Sequence, residues 1–312
     1  MIAVVGEALI DLVVGAGGQV DARPGGGPYN TARTLARLGA ATTFVGRLAD
    51  DGFGRLLRDR LAAEGVVIGV PEPSATPTTL AVADVDQAGV ASYGFYLAAT
   101  AGADLEYAEL RTVLDSGFAA VHVGTLGLVM EPIGSAIERL VVAGLPPDTL
   151  VMLDPNCRPG TIADRAAYLG RIERIAARAD IVKASVEDLA YLYHGDSAQE
   201  AASALLAAGP ALVLVTDGPN PARAFGPGMV LEAEVPGVTV VDTIGAGDAF
   251  GGGFLAWWMA NGLARDDLKR PAQVRAALAA AAAVAAITCT RPGADPPTLA
   301  DVQTRAWWPE LA

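Results

Sequence analysis

Asp242-Thr243-Ile244-Gly245-Ala246-Gly247-Asp248-Ala249-Phe250 joins two unlike segments: a strand-like run at 238–241 and a strongly apolar, helix-like run at 249–259. Glycines at 245 and 247 let the backbone turn sharply and leave bare N–H groups at the start of a helix. Such an end attracts anions, because its first amides lack partners and the helix dipole favours negative charge. Asp248 is an odd residue there. Either it caps the helix, as Asp often does, or its carboxylate has a separate task, such as orienting and deprotonating a hydroxyl that attacks a phosphoryl group held by the amides of Gly245, Ala246 and Gly247. A dinucleotide fingerprint would need a third glycine where Phe250 stands, and no G-x-x-x-x-G-K-[ST] occurs anywhere in the chain.

Outward from this loop, short apolar runs at 2–5, 42–45, 119–123, 150–153, 181–183 and 212–216 read as strands. Helical periods at 29–38, 53–64, 132–143, 163–178 and 198–207 lie between them. That alternation predicts a mostly parallel sheet covered on both faces. Two regions depart from it. Residues 78–85 and 90–96 flank Asp86-Gln87-Ala88-Gly89 and read as a hairpin, while 9–14 and the glycines after it read as a second β excursion. Together they predict a small flap beside the main sheet, within one domain. An Ala-rich helix at 271–287 follows, with Arg291-Pro292-Gly293-Ala294 as its exit turn.

Composition narrows the function. The 312 residues carry 22 Lys plus Arg against 35 Asp plus Glu, a net charge of −13. A polyphosphate backbone would repel such a chain, so nucleic-acid binding and a polybasic membrane role are disfavoured. Hydrophobic residues reach 52%, but alanine supplies much of that, and the Ala-rich segment reads as a buried helix and not a membrane anchor. Two distant cysteines, Cys157 and Cys289, and the absence of a visible export signal favour a reduced cytoplasmic setting. With only His122 and His194 available, acid–base chemistry is expected to run on carboxylates.

The 242–248 segment resembles the D-T-x-G-A-G-D signature of the ribokinase-like, or PfkB-type, carbohydrate kinases. Gly25-Gly26-Gly27-Pro28-Tyr29-Asn30-Thr31-Ala32, with Gly46 to Gly54 further on, is similar to that family's other signature. Read alone, the first of these is a glycine loop before a helix, with Asn30 either a ligand group or a packing residue. The resemblance implies a three-layer α/β/α fold with a β-sheet lid contributed by about 9–24 and 76–98. It implies Asp248 as catalytic base, the loop of Gly245, Ala246 and Gly247 as anion hole, and Asp11, Gly26, Gly27 and Asn30 as sugar-binding residues. Asp154-Pro155-Asn156-Cys157-Arg158 resembles the D-P-N-x-R of the fructokinase-like branch and adds Arg158, which otherwise reads as a solvated side chain after a proline turn.

For the nucleotide, the resemblance implies ATP near Lys183, Ser185, Thr216, Gly218 and Gly247. Mg²⁺ would be organised through water by Glu187 or Asp188, and a monovalent cation such as K⁺ would lie near Asp242. Ser185 and Asp188 stand where the family has Asn and Glu, and Pro221 replaces the last glycine of its nucleotide loop. Leu97 occupies a place where Arg is common in the branch. The expected activity is phosphorylation of a neutral sugar, foremost a ketohexose such as fructose. The alternatives are a 2-keto-3-deoxygluconate kinase, a ribokinase, or a binding protein that has lost catalysis. An open lid strand at 90–96 would invite pairing into a homodimer.

Overall fold

The computed structural model describes residues 1–15, 17–85 and 91–303. The chain begins with β1 (Ile2–Val5), β2 (Leu9–Val14), β3 (Val20–Gly25) and helix α1 (Gly27–Arg37). β4 (Thr42–Val45), α2 (Gly52–Ala63), β5 (Val67–Ile68), β6 (Thr79–Val85) and β7 (Ala91–Tyr96) come next. The middle holds α3 (Tyr107–Leu114), β8 (Ala120–Gly124), α4 (Ile133–Arg139), β9 (Leu150–Asp154) and α5 (Arg165–Ala176). After β10 (Ile181–Ser185) come α6 (Val186–Leu192), α7 (Ala198–Ala207), β11 (Leu212–Asp217), β12 (Asn220–Gly226) and β13 (Met229–Ala233). Helices α8 (Ala246–Ala260), α9 (Pro271–Thr288) and α10 (Leu299–Gln303) finish the described chain.

Nine strands form one sheet in the order β13-β12-β11-β10-β9-β8-β1-β4-β5. All neighbours from β11 to β5 are parallel, and β12 and β13 add an antiparallel edge. Alternation along the strands builds two cores. Ile2, Met152 and Leu214 face α1, α2, α8 and α9, while Ala3, Val151 and Val213 face α3 to α7. The central strands are therefore apolar on both sides, which explains why these segments read as continuous hydrophobic runs. The three-layer α/β/α expectation holds. The lid is a separate four-stranded sheet, β3-β2-β6-β7; its expected turn at 86–89 lies outside the described residues.

Three local readings change. Residues 238–241 are not a strand: the Val241 and Asp242 amides both donate to the Cys289 carbonyl, at 2.8 and 3.2 Å, so this segment follows the end of α9 and no sheet edge. The pair β12–β13 went unread because its alternation is diluted by alanine. Pro221 lies inside β12, after a tight turn at Gly218 (φ +51°), so the segment expected to form a nucleotide loop is the turn of a β11–β12 hairpin. Helix α9 is long and apolar enough to cross a membrane, yet Val274, Leu278, Ala281 and Val284 are buried in the core.

Helix α8 carries Gly251-Gly252-Gly253 in its interior, where each glycine costs ~1 kcal/mol relative to alanine. Packing requires two of them, Gly252 and Gly253. A Cβ on Gly252 would stand 2.8 Å from Thr34 of α1, and one on Gly253 would stand 3.0 Å from Val284 of α9. The glycines let three helices approach closely and fix the start of α8 against α1. Gly252→Ala is expected to destabilise the protein by ~1–3 kcal/mol through overpacking, despite the gain in helix propensity. Chemical denaturation checks this; an unchanged or higher midpoint would show that α1 and α8 can separate without cost.

Candidate active site

The C-terminal ends of the parallel strands and the start of α8 meet beneath the lid at a cavity of about 790 Å³, within the size range of small-molecule sites. Its wall includes Asp11 and Arg23 from the lid, Gly26, Gly27 and Asn30 from the start of α1, Arg158 after β9, and Gly245, Gly247 and Asp248. Asp11 and Arg23 are direct cross-strand partners on β2 and β3, so their side chains share one face of the lid. The apolar residues Leu9, Val13, Ala81, Ala83 and Phe95 also line the cavity.

Asp248 is not the cap of α8. The cap position is Gly245, with a left-handed φ of 76°, and Asp248 lies three residues into the helix. Its side chain turns inward, 7% exposed for the residue as a whole, and Oδ2 accepts a 2.9 Å hydrogen bond from Asn30 Nδ2. Burial pushes this carboxyl above its ordinary pKa, while Asn30, Lys183 and Arg158 hold it down. On the other oxygen, a Cβ placed on Gly27 would come within 3.2 Å of Oδ1 and 2.2 Å of Thr125 Oγ1. Glycine at 27 thus keeps open the space in front of Oδ1.

The loop ahead of α8 is held by Asp242, whose Oδ1 accepts from the Ile244 amide at 3.0 Å and Oδ2 from the Gly293 amide at 2.8 Å. Arg23 Nη1 stands 3.7 Å from the same Oδ2. The Ala246 amide donates to the Thr243 carbonyl at 3.2 Å, so Ala246 leaves the set of free donors. The first-turn amides of Gly247 and Asp248 remain, with no intrahelical acceptor available to them.

Several expected residues do not line the cavity: Lys183, Ser185, Glu187, Asp188, Thr216 and Gly218. Ser185 and Thr216 are paired in register at the ends of β10 and β11, farther along the same sheet edge. Lys183 is 2% exposed and makes a 3.0 Å ion pair with Asp154 Oδ2. Its ammonium lies against the first turn of α8, 2.9 Å from where a Gly247 Cβ would be. Burial draws that ammonium down, but Asp154, Asp188 and Asp248 together leave it above its ordinary pKa. Asp154 is pushed up to about 6 by burial, with Lys183 opposing. Buried His122 is lowered to about 3 by burial and by Lys183, so it is uncharged.

Asp188 is a tie between elements. Oδ1 accepts from the Cys157 amide at 2.6 Å and Oδ2 from the Ser185 amide at 2.8 Å, while Ser185 Oγ accepts from the Asp188 amide. Glu187 beside it is exposed. No group of three or more His, Cys, Asp or Glu placed to hold a metal occurs among the described residues.

Three residues were missed from the sequence. Glu7 is fully buried at the end of β1, with Oε2 accepting from the Gly127 amide at 2.8 Å and Oε1 from the Gly27 amide at 3.3 Å. Burial pushes its carboxyl up to about 8, against those amides. An acid straight after an apolar strand, at the edge that carries the other site residues, was the available signal. Asn156 (φ 39°) and Thr125 (φ 59°) are non-glycine residues in left-handed backbone, and Asn156 Nδ2 lies 3.5 Å from Asp248 Oδ1. Nothing in the sequence around Thr125 announces it.

Similarity to known proteins agrees with this geometry. The chain is 36% identical over 261 residues to a fructokinase of Rhizobium leguminosarum bv. trifolii, covering 82% of this chain and 79% of that protein. It is 35% identical over 318 residues to fructokinase-2 of Oryza sativa subsp. japonica, covering 96% and 91%. Among solved structures, the ATP-bound fructokinase of Xylella fastidiosa superposes with a TM-score of 0.88 at 30% identity, over 97% of each chain. The fructokinase of Vibrio cholerae with fructose, ADP and calcium superposes at 0.83 and 28% identity, again over 97% of each. Residues 1–301 match the pfkB family carbohydrate kinase. The chain belongs to the pfkB family of carbohydrate kinases, and it is a sugar kinase.

Proposed function

We propose that this kinase transfers the γ-phosphoryl group of ATP to a hydroxyl of fructose, with Asp248 as the base. The carrying observation is the placement of a buried carboxylate oxygen, Asp248 Oδ1, across from the open position at Gly27 and beside the free amides at the start of α8. A sugar hydroxyl in that gap gives its proton to Asp248 as its oxygen bonds to the γ-phosphorus and ADP departs. The Gly247 and Asp248 amides face the charge on the transferred group, and the helix dipole adds to them. Asp11 and Asn30 hold further hydroxyls, with Gly26 and Gly27 permitting close approach. A carboxylate and an amide suit a neutral polyol, and the relatives named for fructose support that sugar.

ATP is assigned to the ledge of Ser185, Thr216 and Gly218 beside the α8 loop, in keeping with the ATP-bound relative. Lys183 is buried behind that loop, so we give it an electrostatic part there and no direct nucleotide contact. Exposed Glu187 fits a Mg²⁺ ion that keeps most of its water and rides on the nucleotide, because both oxygens of Asp188 already accept amides. Bound Mg²⁺ would neutralise phosphate charge during transfer. Asp242 is occupied in holding the loop and is given no step with K⁺. The two free cysteines suit a cytoplasmic enzyme, and the open edge of β7 suits a homodimer through the lid.

Asp248→Asn should fold as the parent does and lose ~10²–10⁴-fold in kcat, the usual contribution of a positioned general base; near-normal turnover would remove Asp248 from the base role. Asp11 is pushed up to about 6 by burial and by Asp248, against Arg158 and Arg23. It is therefore a carboxylate above that pH and takes a proton below it. The value of kcat/KM for fructose is expected to fall as the pH drops through about 6, and Asp11→Asn should flatten that fall while lowering the plateau. A profile level from pH 7 to pH 5 would show that ionised Asp11 is not needed. Sedimentation should find a dimer at micromolar concentration, and a monomer there would exclude pairing through β7.

A further inference from the structure

The turn after β9 carries Asn156 in left-handed backbone, φ 39°, a conformation that side chains other than glycine seldom adopt and that gathers at functional sites. The turn is clamped on both flanks. Tyr168 Oη donates to the Pro155 carbonyl at 3.1 Å, and the Cys157 amide donates to Asp188 Oδ1 at 2.6 Å. Between the clamps, Arg158 folds back on its own turn. Its Nη1 donates to Asn156 Oδ1 at 2.7 Å, to the Asn156 carbonyl at 3.1 Å and to the Cys157 carbonyl at 3.1 Å.

A guanidinium has only donors, so it must face the oxygen of the Asn156 amide. The amide nitrogen is thereby turned the other way, 3.5 Å from Asp248 Oδ1 and 3.5 Å from Thr125 Oγ1. Asn30 approaches the opposite oxygen, Oδ2, at 2.9 Å. Two amides therefore straddle one carboxylate. The short bond fixes Oδ2, and the long one aims Oδ1 while leaving it a lone pair for an incoming proton.

We infer that Asn156 and Arg158 form a positioning relay for the base, in which the guanidinium sets the Asn156 amide and the amide aims Asp248 Oδ1. This rests on the reading of Asp248 as base. It also changes the part given to Arg158. One arm of its guanidinium is committed to the turn, so its chief work is on the enzyme and not on the sugar.

The test is a double-variant cycle of Asn156→Gly, Arg158→Met and the combination, with kcat and sugar KM measured at saturating Mg-ATP. Glycine accepts the left-handed backbone and removes only the amide. Each single variant is expected to lose about 10- to 100-fold in kcat with sugar KM changed less than about threefold, and the double should fall no more than about threefold below the worse single, as coupled residues do. Multiplying losses would overturn the relay. So would an Arg158→Met variant with a raised sugar KM and intact kcat, the signature of direct sugar contact. Asn156→Asp keeps the partner for Arg158 but turns an oxygen toward Asp248. Its kcat should fall at least as far as that of Asn156→Gly, and a near-normal kcat would also overturn the relay. If Asp248→Asn is inactive while the Asn156 variants are not, only the relay fails; if Asp248→Asn is active, the base reading fails first.

Discussion

The hydrogen bond from Asn30 to Asp248 joins residues 218 positions apart, and the site exists only because the two helices carrying them are held in contact. Asn30 lies in the first turn of α1 and Asp248 in the first turn of α8. Both turns point at the same cavity, one bringing Asn30 and the other the first-turn amides of Gly247 and Asp248. Gly252 sets the distance between them, and buried Trp257, Trp258 and Phe254 of α8 belong to the same core as Tyr29 and Leu35 of α1. The cost in helix propensity is offset by that close approach, which brings Asp248 against Asn30.

Burial then gives each acid its character. Glu7, Asp11, Asp154 and Asp248 all stand in or beside the cavity, and desolvation raises every one of them. What separates them is their partners. Asp154 has Lys183, Asp248 has Asn30, Glu7 has two backbone amides, and Asp11 has the more distant guanidiniums of Arg158 and Arg23. The net charge of −13 thus poses no obstacle to holding a polyanion. Backbone amides at the start of α8 and a buried ammonium behind them supply a local positive field that a count of charged residues does not reveal.

How much of this was legible follows from what each signal encodes. Residues 2–5, 42–45 and 198–207 gave their elements without shift, because a strand buried on both faces and a capped helix are each written in a few adjacent positions. The loop at 242–248 was legible for the same reason: its glycines and its acid are consecutive. Glu7, Thr125 and Asn156 were not, since their roles come from contacts 20 to 120 residues away. The strand expected at 238–241 failed because valines recur there as in a strand, while the Val241 amide and the Asp242 amide after it are taken by the Cys289 carbonyl at the end of α9. Asp188 and Lys183 have the residue types expected of a nucleotide site, but their partners bind them into the scaffold.

The pairing of Asp11 with Arg23 on the lid has a mechanical consequence. Asp11 belongs to the small sheet, whereas Asn30 and Asp248 belong to helices packed on the large one. In the proposed site, a single sugar that met both sets would act as a gauge of the gap between the sheets. A shorter polyol would leave one set unmet, and a bulkier one would hold the sheets apart and lift Arg23 from its place beside Asp242. Selectivity in such an arrangement is a matter of length, read at the seam between two sheets and not inside a preformed mould.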